Sequence, residues 1–477
     1  MVSQPLIVSG EAPAIQGGVA TRPSNMHLII VADSPSSSLC KTLFSAAILG
    51  YPAPILVNWN GELPDFLEIP KRENVPSMAE GVGEYLATLD KSHDDDVAIV
   101  LEGESLMQLR ASTLVERFFS VNRRANERIT KKWGKTAARN GIKQEVLFGA
   151  QKECNGLSAN DAACYGAPPS TLPPKLYGDD TDVEGGDDDN RFDRFRPRFM
   201  DSGSVIGTVA GLRKVFTAAA AYSSDKSDGE KKISLQRIFG RQQSYREILS
   251  RKAGVGTNKG FTKAHLATVR EDMNKNPNGT WEFGIGFDYT GEISANTAFS
   301  HDDYGLVTFS EPNSLQDARK EHRVGLTDAM KPLPSDISNS LPPFWTFSVE
   351  PALPRWDPWK QTPLITNLYT GIVPAIIRPT NRGNGGGELA KAWYQKHART
   401  LLDASTYSPI TPVAVGGEND STIREFWPME IWKGGGRDSR TKIMTGEGWV
   451  RMDLDCEEWG EDMFQDGLGA WKLPENH

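Results

Sequence analysis

The stretch at residues 94–110, DDDVAIVLEGESLMQLR, constrains the fold of this chain more than any other. Three aspartates lead into an apolar run, Val97 to Leu101, and Glu102-Gly103-Glu104 follow as the run ends. A short apolar run between turn signals fits a strand buried on both faces, as in a parallel sheet. In open α/β sheets the ligand lies beyond the carboxyl ends of such strands, where the strand order reverses. Two carboxylates flanking one glycine at that end suit a divalent metal or a cationic substrate group. An ordinary acidic, solvated turn has the same composition.

The flanking sequence supports a parallel sheet. His27 to Asp33 reads as a strand, and the serines at 34 and 36–38 can cap a helix from Leu39 to Leu49. A second strand at Ile55 to Trp59 and a helix at Met78 to Leu89 complete a βαβαβ series with the strand at Val97. An α/β sheet with right-handed crossovers is the expected result. GxGxxG and Walker loops are absent, so the usual dinucleotide and P-loop signatures are missing. Residues 112–143 form a long basic helical segment. Nine Lys/Arg stand there against Glu127 between Arg117 and Lys143, including Arg123, Arg124, Lys131 and Lys132. Such a run suits a phosphate backbone, or is a solvated helix face. Val146 to Ala150 is a further strand, and Phe199 to Gly207 reads as strand, turn and strand. Helices are expected at Ala210 to Tyr222 and Ile238 to Lys252, and a strand at Phe283 to Tyr289 ending near Asp288. A loop at about 155–197 carries an acidic run expected to be mobile. Residues 1–25 read as a flexible leader and 26–311 as the catalytic domain. Residues 312–477 read as an irregular C-terminal extension packed on it, with its clearest helix at Glu388 to Leu402.

The net charge of -9 over 477 residues argues against blanket binding to nucleic acid and leaves local patches open. No apolar run reaches the ~18 residues of a membrane span, and the N-terminus lacks the pattern of a secretory signal. The expectation is a cytoplasmic protein that makes no use of a membrane. Cys154 and Cys164 could form a local disulfide in a permissive compartment; in the cytoplasm they are expected as free thiols.

Five motifs in order, LEGES, VLFGAQKEC, FMDSGSVIG, IFGRQQSYRE and FGIGFDYTGE, resemble the GT-A glycosyltransferase-like proteins that include fungal relatives of procollagen-type sugar transferases. The resemblance spans about residues 27–310 and implies a GT-A-like, Rossmann-like, mostly parallel sheet flanked by helices. The departures fall on the metal motif. Leu101 and Glu104 stand where the family has aspartates, and Asp201 stands where it has asparagine. Lys231-Lys232 take the place of its Asp-Gln pair, and Ser294-Ala295 that of its late Phe-Gln.

The combination also resembles the fungal arginine-containing cyclodipeptide synthases. That resemblance implies arginyl-tRNA and a second aminoacyl-tRNA as partners, a cyclo(Arg-X) diketopiperazine as product, and no cofactor. Asp288-Tyr289-Thr290-Gly291-Glu292 stands for that group's DDxxE motif, with Tyr289 in place of the second Asp. On this reading Glu102, Glu104, Asp288 and Glu292 form an acidic pocket for a guanidinium without a metal. Arg123, Arg124, Lys131 and Lys132 hold the tRNA backbone, and Asp201 lines the substrate site. Ser202 is the nucleophile if an acyl-enzyme forms, or a structural serine in its turn. Two alternatives remain. One is a nucleotide-sugar glycosyltransferase using Glu102 and Glu104 with Mn²⁺; the other is a catalytically inactive scaffold of the same fold.

Overall fold

A computed structural model describes residues 23–59, 76–154, 156–185, 192–224, 226–297, 300–328, 330–344, 358–379, 393–406, 412–417, 422–428, 442–445, 448–452, 456–460, 464 and 468–472. Most of the expected leader, and residues 186–191 at the end of the acidic run, lie outside them.

The strands are β1 (Ser24–Val31), β2 (Pro54–Val57), β3 (Val97–Glu102), β4 (Leu106–Met107), β5 (Val146–Gln151), β6 (Phe199–Thr208), β7 (Ile285–Asp288) and β8 (Ser294–Asn296). They continue with β9 (Tyr304–Thr308), β10 (Pro363–Asn367), β11 (Ile376–Arg378), β12 (Ala414–Gly416), β13 (Arg424–Pro428), β14 (Lys442–Thr445) and β15 (Gly448–Arg451). The helices are α1 (Ser37–Ile48), α2 (Met78–Thr88), α3 (Ala111–Trp133), α4 (Lys135–Arg139), α5 (Ala162–Tyr165) and α6 (Val209–Ser223). After these come α7 (Asp228–Lys232), α8 (Ser234–Ala253), α9 (Lys263–Lys275), α10 (Ser314–Glu321), α11 (Ser335–Ser338) and α12 (Ala398–Thr406). The helix expected from Glu388 is therefore described only from Ala398; residues 388–392 fall outside the described set.

The central sheet runs β15-β14-β2-β1-β3-β6-β5-β7, with β13 also on β1. β1 is parallel to β2 and β3, and β5 is parallel to β7, while β6 is antiparallel to β3 and β5. The class is thus the expected one, α/β with a mixed, mostly parallel sheet between helices. Alternation sorts the apolar residues to two faces. Leu28, Ile30, Ile99 and Leu101 pack with Leu43 of α1 and Phe118 of α3. Ile29, Ala98 and Val100 pack with Val82 of α2 and Phe216 of α6. Val97 to Leu101 are 0% exposed, and each large apolar side chain so buried stabilises the fold by about 1.5–3 kcal/mol.

The segment expected as strand, turn and strand is one ten-residue strand, β6. Phe148 pairs with Val205 but Gly149 with Asp201, so residues 202–204 bulge out of register with β5 while Ser204 still faces Leu101 of β3. A bulge absorbs the glycine-serine residues without ending the strand. The C-terminal residues do more than pack on the core. β13 and β14 extend the central sheet, β11 joins β4 and β8, and a disulfide from Cys40 of α1 to Cys456 fastens the end of the chain. Cys154 and Cys164 form the second disulfide, so all four cysteines are paired rather than free.

Each aspartate before β3 has a partner. Asp94 pairs with Arg213 of α6, and Asp95 with Arg424 of β13 at 2.9 Å. Asp96, 2% exposed, takes hydrogen bonds from Asn25 N at 2.7 Å, His27 Nε2 at 3.0 Å and His93 Nδ1 at 2.7 Å. Burial pushes the Asp96 carboxyl up, but the bonds from His27, Asn25 and His93 outweigh it and hold it below the usual range. Its contribution to stability is therefore present above the unfolded carboxyl pKa and is lost as pH falls through the lower folded value. Replacing Asp96 by Ala should cost about 3 kcal/mol at pH 7 in denaturant unfolding, as for other broken buried pairs. The gap from the parent should close on acidification; equal stability at pH 7 would show that the aspartate does not pin these strands.

Candidate functional site

Because β2 lies on one side of β1 and β3 on the other, the strand order reverses at β1. The crevice beyond the carboxyl ends of β1 and β3 is the place where such sheets take ligands. α1 begins there, with Ser36 as its N-cap accepting from Leu39 N, so the first turn brings the positive end of a twelve-residue helix to the crevice. Gly103, at φ +72°, turns the chain after Glu102, a conformation that suits glycine. Glu104 then reaches α1, accepting from Ser38 Oγ at 2.9 Å and lying 3.9 Å from Lys41 Nζ.

The cation at the centre comes from a distant part of the chain. Arg378, closing β11, donates to Asp201 Oδ2 and, at 3.0 Å, to the carbonyl of Glu102. Its guanidinium lies against Gly203, where any Cβ would collide with it. A Cβ on Gly149 would likewise crowd Ser204 Oγ at 2.8 Å and Asp201 Oδ2 at 3.1 Å. Two glycines thus clear the space for the Asp201–Arg378 pair. The Nε of Arg378 is buried and has no hydrogen-bond acceptor among the described residues. Glu102 is exposed by surface area, yet protein surrounds it closely enough for desolvation to raise its pKa. Arg378 and Lys232 oppose that rise, and Asp201 adds to it.

Three carboxylates (Glu102, Glu104, Asp201) thus stand with three cations (Lys41, Lys232, Arg378) at this edge of the sheet. This donor set does not fit Mn²⁺. A hard divalent ion seeks about six oxygen ligands, whereas Arg378 holds Asp201 and Ser38 holds Glu104.

The other expected residues do different work. Asp288 ends β7 at the same edge of the sheet, but β6 and β5 separate it from β3, roughly 14 Å at the usual strand spacing. It is 2% exposed and turns back into its own loop, accepting from Thr290 Oγ1 at 3.0 Å, Glu292 N at 3.2 Å, Ile293 N at 2.7 Å and Ser294 N at 3.4 Å. Burial first, and Glu292 second, raise its pKa. Glu292 is held by Arg124 through two bonds, 2.8 and 2.9 Å. Glu102, Glu104, Asp288 and Glu292 therefore do not form one acidic pocket. Ser202 lies in the β6 bulge and accepts a long hydrogen bond from Gln236 Nε2, 3.5 Å. Among the nine basic residues, Arg117 is 5% exposed and bonds Asp336 and the Glu292 and Val373 carbonyls. Arg123, Lys131 and Lys132 are exposed. Sequence reading missed Arg378; its only local signal is a cation closing the short apolar run Ala375-Ile376-Ile377.

Among protein-family models none matches this chain, and among curated proteins none is similar to it. The geometry of Asp288 makes its role testable. Asp288→Asn should lower unfolding stability by about 1–3 kcal/mol, the cost of leaving buried backbone N–H groups unpaired. Unchanged stability with lost ligand binding would instead make Asp288 a substrate-contacting residue.

Proposed function

We propose that the chain transfers a glycosyl group from a nucleotide-sugar to an acceptor hydroxyl, on a GT-A-like fold and without a metal. The observation that carries this reading is the guanidinium of Arg378 beside Glu102 and Asp201, a fixed cation where the sequence resemblance puts a metal motif. Its unpartnered Nε–H and the start of α1 are suited to a diphosphate. Glu102, exposed and with a raised pKa, is suited to act as general base. It takes the proton of the acceptor hydroxyl as that oxygen bonds to the sugar's anomeric carbon. The bond from that carbon to the diphosphate breaks, and its electron pair leaves on the phosphate oxygen.

The disulfides Cys40–Cys456 and Cys154–Cys164 favour an oxidising compartment over the cytoplasm, where charged tRNAs are found. That weighs for a nucleotide-sugar and against an aminoacyl-tRNA. A second reading, cyclodipeptide synthesis from arginyl-tRNA and another aminoacyl-tRNA, keeps support from the exposed basic side chains of α3 and α4: Arg123, Arg128, Lys131, Lys132, Lys135 and Arg139.

Purified protein incubated with a panel of UDP- and GDP-sugars should release the nucleoside diphosphate equally in EDTA and in Mn²⁺. Glu102→Gln should lower kcat by at least about 100-fold, the usual minimum for a general base. Activity should fall on the acid side as Glu102 protonates, and Arg378→Met should move that limb to higher pH by removing the cation that holds the pKa down. Arginine diketopiperazines formed from charged tRNA, with no nucleotide-sugar turnover, would replace this reading with the second.

A further inference from the structure

A second concavity lies along the outer edge of β7, away from the crevice. The C-terminal half of α3, the middle of α8 and the loops near residues 166–171 and 256–261 enclose a groove of about 710 Å³. Five cationic side chains line it, Arg128, Lys132, Arg198, Arg246 and Lys259, against one carboxylate, Glu247. Its floor is apolar, with Ile285 1% and Phe287 4% exposed.

The cations are of two kinds. Arg246 is clamped by Glu282 at 2.7 and 2.8 Å, and Arg198 donates to the Ala167 carbonyl at 2.7 and 3.2 Å, so both are set in place. Arg128 and Lys259 have no hydrogen-bond acceptor among the described residues, and Lys132 stands over the Trp133 ring at 5.4 Å. Arg198, Arg128 and Arg246 all bear electrostatically on the Tyr289 phenol, which places their charges around one point of the wall.

A basic helix face by itself would be solvated surface. Gln243 distinguishes this one. It lines the groove at 7% exposure, and its Nε2 has no hydrogen-bond acceptor among the described residues. A buried amide N–H left unmade costs about 1–3 kcal/mol, so an acceptor entering the groove would relieve it. Acceptor oxygens, excess positive charge and an apolar floor together describe the ligand.

We infer that this groove is a second ligand site, for a small phosphate ester with an apolar or planar body. Phosphate oxygens accept from the arginine forks and from Gln243 Nε2, and the body lies on Phe287 and Ile285. A volume of about 710 Å³ falls in the range of small-molecule sites. The inference does not depend on glycosyl transfer.

The test is calorimetric titration of the full chain with AMP, adenosine, inorganic pyrophosphate and a single-stranded RNA dodecamer. AMP and pyrophosphate should bind, and adenosine at least ten-fold more weakly than AMP. Arg128→Ala with Lys132→Ala, both exposed positions, should weaken AMP at least ten-fold with no change in melting temperature. Gln243→Leu should also weaken AMP while leaving the melting temperature equal or higher, because it removes an unpaired polar group. AMP binding unchanged in the Arg128/Lys132 variant but lost in Arg378→Met would put the nucleotide in the crevice alone and overturn the second site. RNA binding with no AMP binding would overturn it in favour of a polymer track, and no binding of any probe would overturn it outright.

Discussion

The parallel pairing of β1 with β3, from Met26 opposite Val97 to Val31 opposite Glu102, is the constraint on which the rest of the structure depends. Both strands are buried on both faces, so each can slip only by exchanging the residues of two cores. Asp96 removes that freedom at the amino end, since its carboxylate joins the backbone of Asn25 to the rings of His27 and His93. The carbonyls of Asp94 and Asp96 accept from Ala210 N and Val209 N, which sets the start of α6 on the same edge. With the amino end fixed, the carboxyl ends must emerge side by side, and the crevice follows.

What the crevice contains depends on contacts very distant in sequence. Arg378 reaches Asp201 across 177 residues and Glu102 across 276. β11 delivers it by pairing with β4, the two-residue strand that follows the Glu102-Gly103-Glu104 turn. The same C-terminal region that extends the sheet through β13 and β14 therefore supplies the cation that pairs with Asp201 at its edge. Gln108 reinforces this join, donating to the carbonyls of Ile365 and Pro374 at 3.0 Å each and accepting from Ile365 N at 2.7 Å.

Much of the fold was legible because apolar periodicity reports burial directly. The βαβαβ opening, the strand at Val146 and the helices near 210 and 238 all occur close to where their patterns fall. The site was legible in part. The glycines of LFGAQ and MDSGS mark the close approach of a side chain, but not which one. A carboxylate at a strand end has the same local sequence whether it stays exposed, as Glu102 does, or binds its own loop, as Asp288 does. The partners of the aspartates before β3, Arg213 for Asp94 and Arg424 for Asp95, lie far along the chain and leave no local signal. The count of basic residues in α3 likewise could not separate buried Arg117 and clamped Arg124 from the exposed ones.

The central claim is that a guanidinium does at this sheet edge what a metal ion would otherwise do for a diphosphate. Titrating the chain with UDP and GDP, first in EDTA and then in Mn²⁺, tests it most directly when repeated on Arg378→Met. The account predicts binding of equal affinity in both buffers and at least a ten-fold loss in the variant. Binding that requires Mn²⁺ and is indifferent to Arg378 would contradict it.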